Sequence, residues 1–552
     1  MKSVLKKVIA CALIFAMVLS MAACGNGDEG GETSTHTDGQ VVVNIDWPAY
    51  IDPGIANKDA DLMAIVNLYD SLVFPNTDGT VSPLVAETWE ANDDCTVYTF
   101  HLRDDVVFHS GNPLTAKDVK WSMDRLLNMG EGMAYLYTGV VDSVEVIDDY
   151  TVQFNLAAPS GTFPSSMTRL YIMDSALVTE NIDTSSTQYG ENGDYGKGWL
   201  NTNDAGSGPY KVKEIRTEEY IIMEQSDNYW QEFDEKAPKE AKLQGGVVTS
   251  TMKTMVSRGE LDVTDGAQTP ETYESMASED GVTLVRTLSG GNFNISLNTQ
   301  LAPTDDIHFR KAMAYALDYD SVINDIYVGS VKATGPIING IAGAMAEEDF
   351  PYVYDLDKAK EELEQSPYYD QLMSGEMKVT LSYCSEGGEQ QEKLALLMQA
   401  GMSQLGVTVE ITGKPFATMM TDASTVEGTP NASFIVFNPA YPDGGACLKP
   451  RYHTDSNGSW EHTDWVDDPE LDAAIEEAMM ITDDDERAAA YAEINKEIVE
   501  LCPTIWACDV SSTFVYRSSY IEYMPVAADY ENGVNAIYSP GYTAYFMNYR
   551  LA

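Results

Sequence analysis

Along residues 98–103 apolar and polar positions alternate, with Tyr98, Phe100 and Leu102 set against Thr99, His101 and Arg103. A period of two predicts a half-buried strand. Asp104-Asp105 interrupts the pattern, Val106 to Phe108 resumes it as a second short strand, and Gly111-Asn112-Pro113 ends it with turn chemistry. The period then changes. Val119, Met123, Leu126 and Leu127 fall at i, i+4, i+7 and i+8, which is one face of a helix. Thr115 is placed to cap that helix, and Asp118 stands three residues on in the capping-box position.

The same two periods run down the chain. Val41 to Trp47 predicts a first strand, Ile51 to Gly54 a turn, and Leu62 to Val73 a helix. Thr151 to Leu156 alternates after the Asp148-Asp149 turn, whereas residues 180–205 are polar without a period and predict a surface excursion. Gly206-Ser207-Gly208-Pro209-Tyr210 opens a strand through a tight turn; no Lys-Ser/Thr follows, as a phosphate loop would need. Asp305 or Asp306 caps a helix whose Phe309, Met313, Ala316 and Leu317 share a face. Leu471 to Met479 and Glu486 to Glu500 predict an acidic helical pair, followed by a strand from residue 501.

The amino terminus has its own pattern. Lys2, Lys6 and Lys7 precede an apolar run from Val8 to Leu19, the layout of a secretory signal peptide. The run is shorter than the ~18 residues that a membrane span needs. Met21-Ala22-Ala23-Cys24 resembles the bacterial lipobox, which implies a signal over 1–23 and a lipid-modified Cys24. Residues 25–40 contain no apolar side chain and predict a flexible tether from 24 to 40. A secreted form without lipid is the alternative. The expected location is the outer face of the cytoplasmic membrane, or the periplasm where an outer membrane is present.

Length and charge narrow the field. At 552 residues the chain exceeds one hydrophobic core. Its 87 acidic against 33 basic residues give a net charge of −54, which excludes a nucleic-acid surface. Beyond Cys11 and Cys24, five cysteines remain; Cys502 and Cys508 are near enough to pair, but their spacing fits no zinc or redox motif. They read as buried thiols. No catalytic spacing of known type occurs, and Arg451 to Trp465, with two histidines and several acids, reads as an exposed loop. No metal and no cofactor is assigned.

The run from Tyr98 to Leu127 resembles the signature of the family 5 extracellular solute-binding proteins, the peptide, nickel and related receptors of ABC importers. Pro83 to Trp89, Asn228-Tyr229-Trp230, Arg258 to Val263, Asp306 to Asp320, Asp357 to Leu363 and Gln404 to Glu410 follow in the family's order. The resemblance runs from about residue 41 to about 510 and is weakest at 160–205 and 420–465. It implies a two-lobed, periplasmic-binding-protein-like α/β fold of type II in its large three-domain form. The first lobe is then discontinuous, 41–290 with the return at 511–552, and carries an extra subdomain at about 83–200. The second lobe is 291–510, and two crossings form a hinge.

The resemblance also implies a binding protein rather than an enzyme, a monomer that hands a small solute to the transmembrane subunits of an ABC permease. Oligopeptide is the leading ligand class. In the family the segment matching Phe434 to Gly445 lines the ligand cleft, and its first aspartate fixes the ligand's α-amino group. Here that position is Ala440, while Tyr441, Pro442 and Asp443 keep the rest. Trp47, Phe293, Asn294, Asn438, Tyr441 and Asp443 are the ligand-binding candidates. Core packing competes for Trp47 and Phe293, and turn capping for Asp443. A receptor for a sugar oligomer or other amine-free solute is the alternative, with a secreted hydrolase or a non-transport sensor in other classes.

Overall fold

Strand β1 (Gln40–Ile45) is buried at all six positions. The computed structural model describes residues 39–45, 50–266 and 268–552, so Cys24 and Trp47 lie outside the described residues. Helix α1 (Asp59–Leu68) follows, ending five residues before the sequence pattern does. The reason is steric and polar. The backbone at Gly206 and Gly208 lies on the helix end, where a Cβ at residue 206 would stand 1.8 Å from the Leu68 carbonyl oxygen. Asp70 and Ser71 turn inward, with Ser207 Oγ donating to Asp70 Oδ2 at 3.0 Å, and Val73 opens a short strand instead.

A four-stranded antiparallel sheet comes next, in the order β2-β3-β5-β4: β2 (Ala86–Ala91), β3 (Val97–Leu102), β4 (Val141–Asp148) and β5 (Thr151–Leu156). The alternation in β3 does as predicted, burying Tyr98, Phe100 and Leu102. Val106 to Phe108 is not a strand. It closes on itself, with Phe108 N donating to Asn112 O and Leu114 N to Val106 O, and makes a single bridge from Val107 to Pro113. Helix α2 (Ala116–Met129) starts where expected; Thr115 N donates to Asp118 Oδ2 at 2.9 Å and Gly130 ends it at φ 64°. From this helix Arg125 reaches Asp52 in a doubly hydrogen-bonded ion pair of 2.7 and 2.6 Å, both side chains 1% exposed. The helix and the turn over 51–54 are thereby tied together.

Strands β6 (Tyr210–Arg216), β7 (Tyr220–Gln225) and β8 (Glu240–Gly245) return to β1, which pairs with β8 in parallel. The chain then enters the long strand β9 (Thr283–Leu297). Beyond it stand α3 (Ile307–Ala316), capped by Asp306, and the strands β10 (Val379–Cys384), β11 (Val409–Lys414) and β12 (Ala432–Phe437). Helices α4 (Gly444–Tyr452), α5 (Pro469–Met480) and α6 (Asp484–Leu501) lead into β13 (Thr504–Tyr516). The second large sheet has the order β11-β10-β12-β9-β13.

Strands β9 and β13 form one antiparallel ribbon, from Thr283 opposite Tyr516 to Ser296 opposite Thr504. One end of it, with Val285, Phe514 and Tyr516, packs into the core under β1 and β8. The other end, with Phe293, Ile295, Leu297, Ile505 and Trp506, packs into the core under β10 and β12. The ladder slips between Leu288 and Gly291, where Gly290 sits at φ 73°. A third core lies between the sheet of β2 to β5 and α2. The folded arrangement is mixed α/β and multi-domain, the type II fold.

Cys502 and Cys508 are both free and buried, as are Cys95 and Cys447. The segment from Arg451 to Trp465 is not the exposed loop that its turn residues predict. Arg451, His462 and Asp464 are buried against β13, and Thr504 Oγ1 donates to Asp464 Oδ2 at 2.9 Å.

Candidate functional site: a cavity between the cores

Where the ribbon slips, a cavity of about 930 Å³ opens. Its walls come from both ends of the ribbon: Asn44 at the end of β1, Lys58 and Asp59 at the start of α1, Leu288 to Gly290 of β9, and Asn438 to Ala440 after β12. Tyr135 and the segment from Ile537 to Gly541 complete it. A space of this size with mixed polar and apolar lining is the usual form of a small-molecule site.

Arg169 is part of its wall. Its guanidinium donates from Nε to the Ala440 carbonyl at 2.8 Å, from Nη1 to the Pro540 carbonyl at 3.1 Å and from Nη2 to Ser539 Oγ at 2.9 Å. The side chain is 1% exposed, so its donors are committed to protein acceptors. Asp59 accepts the Gly541 N–H at 2.8 Å and opens onto the cavity. Protein on its remaining sides desolvates the carboxyl and raises its pKa, against the Gly541 N–H and the charge of Arg169. Asp265 also faces the cavity and accepts from Gln268 Nε2 at 2.9 Å.

The strand that leads into the cavity wall at Asn438 has an open edge. Strand β12 pairs with β9 over its whole length, from Ala432 to Phe437. On its other side it pairs with β10 only at Ala432 and Ser433. The two strands then splay, and among the described residues no strand pairs with Phe434 to Phe437 on that side. Alternate N–H and C=O groups along that edge are open to an extended chain. Among the described residues no group of three or more His, Cys, Asp or Glu is placed to hold a metal ion.

Comparison with known proteins decides the family. The pattern described as bacterial extracellular solute-binding proteins, family 5 Middle, matches residues 80–459. The chain belongs to this family. The dipeptide-binding protein DppE of Bacillus subtilis is 25% identical over 531 residues, covering 90% of this chain and 92% of the relative. Two solved structures share the fold. The ABC transporter substrate-binding protein CtaP of Listeria monocytogenes superposes with a TM-score of 0.72 at 22% identity, over 89% of this chain and 95% of that one. The periplasmic binding protein DppA of Helicobacter pylori, in complex with the peptide STSA, superposes with a TM-score of 0.68 at 21% identity, over 93% and 98%.

Within this family 5 chain the candidate residues scatter. Asn438 lines the cavity and is exposed to it. Phe293 does not: it is 1% exposed, 5.0 Å from the Tyr327 ring and 5.4 Å from the Phe434 ring. Asn294 is 2% exposed on the other face of β9, and its Oδ1 has no partner. Tyr441 is buried beneath the loop. Asp443 caps α4, accepting from Gly445 N at 2.7 Å and Tyr491 Oη at 3.1 Å, with Arg487 Nε at 3.4 Å. Burial raises the pKa of its carboxyl, against Arg487. Sequence reasoning missed Asp59, Arg169 and Tyr135. Nothing in their spacing marks them, because the loops that bring them together are set by the fold.

Proposed function

We propose that this protein captures an oligopeptide outside the cytoplasmic membrane, in the cavity at the ribbon, and delivers it to an ABC import permease. The open edge of β12, whose chain goes on through Asn438 to Ala440 in the cavity wall, is the observation that carries this reading, because it offers a peptide backbone an antiparallel or parallel partner. The ligands of two relatives agree with it: a dipeptide for DppE and the peptide STSA for the Helicobacter protein. Residues 41–290 with 511–552 form one lobe, bearing the subdomain at 83–200, and 291–510 form the other. The slipped ladder beside Gly290 is the hinge on which they close around the ligand. Ligand must then favour the closed state. The working form is a monomer, anchored through a lipid on Cys24 and the tether to residue 40. Its chemistry is binding, without turnover.

A second reading rests on Ala440. No carboxylate of the β12–α4 loop reaches the cavity, since Asp443 is held by Arg487 and the α4 backbone. Either another acid of the lining, Asp59 or Asp265, takes that place, or the solute is amine-free, such as a sugar oligomer. The full chain, purified in detergent without added ligand and then denatured, separates the two by mass spectrometry of what it releases. Mixed-sequence peptides of one length range support the first reading; saccharide replaces it with the second.

A further inference from the structure

The last carbonyls of a helix have no partner inside it and must find one elsewhere. At the end of α5 four successive carbonyls are each accounted for. Ala478 O accepts from Ile481 N at 3.1 Å and Ile481 O from Arg487 Nη1 at 2.9 Å, so both partners lie within the α5–α6 pair. The two between them are served from far away in the chain. Met479 O accepts from Gly161 N at 2.6 Å, and Met480 O from Cys95 Sγ at 3.3 Å, 385 residues upstream. Cys95 and Gly161 belong to the stretch 83–200, whereas α5 belongs to 291–510.

The two donors are built into one tip. Cys95 stands in the turn between β2 and β3 at φ 54°, a conformation uncommon for a residue with a side chain. Gly161 stands in the segment that leaves β5. Ser160 N donates to Cys95 O at 3.1 Å and Tyr98 Oη to Ser160 O at 2.7 Å, which joins turn and segment. Cys95, Tyr98 and Phe163 are members of the core under that sheet, so the tip moves with it. The approach to α5 is close enough to need glycine. A Cβ at residue 161 would stand 2.4 Å from Ile481 O and 2.9 Å from Met479 O.

We infer that this tip is a clasp outside the solute cavity: the extra subdomain caps α5 of the other lobe while the lobes are closed, and lets go when they part. The inference rests on the two-lobed reading above and gives the subdomain a part in closure. The chemistry suits a contact that must be reversible. It consists of one backbone N–H and one thiol, a weak donor, set against helix-end carbonyls. Water replaces both donors once the seam opens, so parting strands no buried charge and the net cost is small. Met480, at the rim of the seam, is already 37% exposed.

Cys95 reports on the clasp, because its thiol is 5% exposed with α5 in place. Iodoacetamide is added to the full chain in detergent, first as purified and then after its solute is stripped in urea and the chain refolded. Mass spectrometry gives the rate at each cysteine, and X-ray scattering the radius of gyration. Stripping should enlarge the radius and speed alkylation of Cys95 about fivefold or more, since the rate follows the open population. Gly161→Ala, which forces the tip off Ile481, should speed it about tenfold with solute still bound. Cys447, Cys502 and Cys508 should stay slow throughout, which separates an open clasp from an unfolded chain. A larger radius with an unchanged Cys95 rate overturns the clasp and leaves lobe closure standing. Faster Cys95 at an unchanged radius overturns its coupling to the lobes, and no change in either removes both. If the chain purifies empty, Gly161→Ala decides alone: a faster Cys95 supports the clasp and an unaltered rate overturns it.

Discussion

Arg169 and Ala440 stand 271 residues apart in the chain and 2.8 Å apart in space, guanidinium Nε to carbonyl oxygen. The same guanidinium holds Pro540 and Ser539, so three distant segments meet on one side chain at the cavity wall. Opening the cavity along the ribbon would separate these acceptors. If the lobes part there as proposed, the bond to Ala440 breaks while those to Ser539 and Pro540 stay, and Arg169 is a latch between the lobes.

Replacing Arg169 by alanine leaves two carbonyls and a hydroxyl without their charged donor. Hydrogen bonds to charged groups contribute about 1.5–3 kcal/mol each, and water entering the cavity recovers part of that. Arg169→Ala should cost about 2–4 kcal/mol of stability in urea unfolding. It should also enlarge the radius of gyration of the ligand-bound protein in X-ray scattering. Arg169→Lys, with the charge but not the fork, should fall between the two. An unchanged scattering curve for the alanine variant would remove the latch.

The pair between Arg125 and Asp52 lies deeper, with both side chains 1% exposed. Taking away one partner of a buried pair strands the other charge, at about 3–5 kcal/mol. Arg125→Met should destabilise by that amount. The double variant Arg125→Met with Asp52→Asn should cost clearly less than the sum of the single changes, as read in a double-mutant cycle. Gly54→Ala should behave like Arg125→Met, because a Cβ there would stand 2.2 Å from Arg125 Nη1. Additive effects would show that the two groups do not act as a pair.

These contacts explain what could be read in the chain beforehand. The period-two run in β3 and the capped start of α2 are local, and both were legible. The end of α1 was not, because it is fixed by the approach of Gly206, which no local pattern announces. The resemblance put Phe293 and Asn294 of β9 both among the ligand-binding candidates. The strand lies between β12 and β13, so Asn292, Asn294 and Ser296 are as buried as Phe293 and Ile295. Polar residues there belong to the interior, and the cavity is walled largely by loops.

Asp443 separates a capping role from a binding one. Its carboxylate serves Gly445, Tyr491 and Arg487, and the residue does not line the cavity. Asp443→Asn keeps an acceptor for the helix cap but loses the charge opposite Arg487. It should cost about 1–3 kcal/mol in urea unfolding and leave calorimetric affinity for the released ligand within about twofold. A tenfold loss of affinity at unchanged stability would return Asp443 to the site.

The ribbon also carries an acid out of its ordinary range. Asp509 on β13 is 1% exposed, and burial pushes its pKa up to about 7, against the N–H groups of Asn339 and Asn292. Asp70 and Asp262 are raised to about 7 by the same cause. An acid with a folded pKa above its unfolded value of about 3.9 binds more protons in the native state between the two values. Stability therefore falls as pH rises from about 4 to about 7, by at most about 1.4 kcal/mol per pH unit for each group. Asp509→Asn removes one such group, so its stability, measured by urea unfolding at pH 5, 6, 7 and 8, should decline less steeply up to pH 7 than that of the unaltered chain. Parallel profiles across that range would mean that Asp509 keeps its charge when the protein folds.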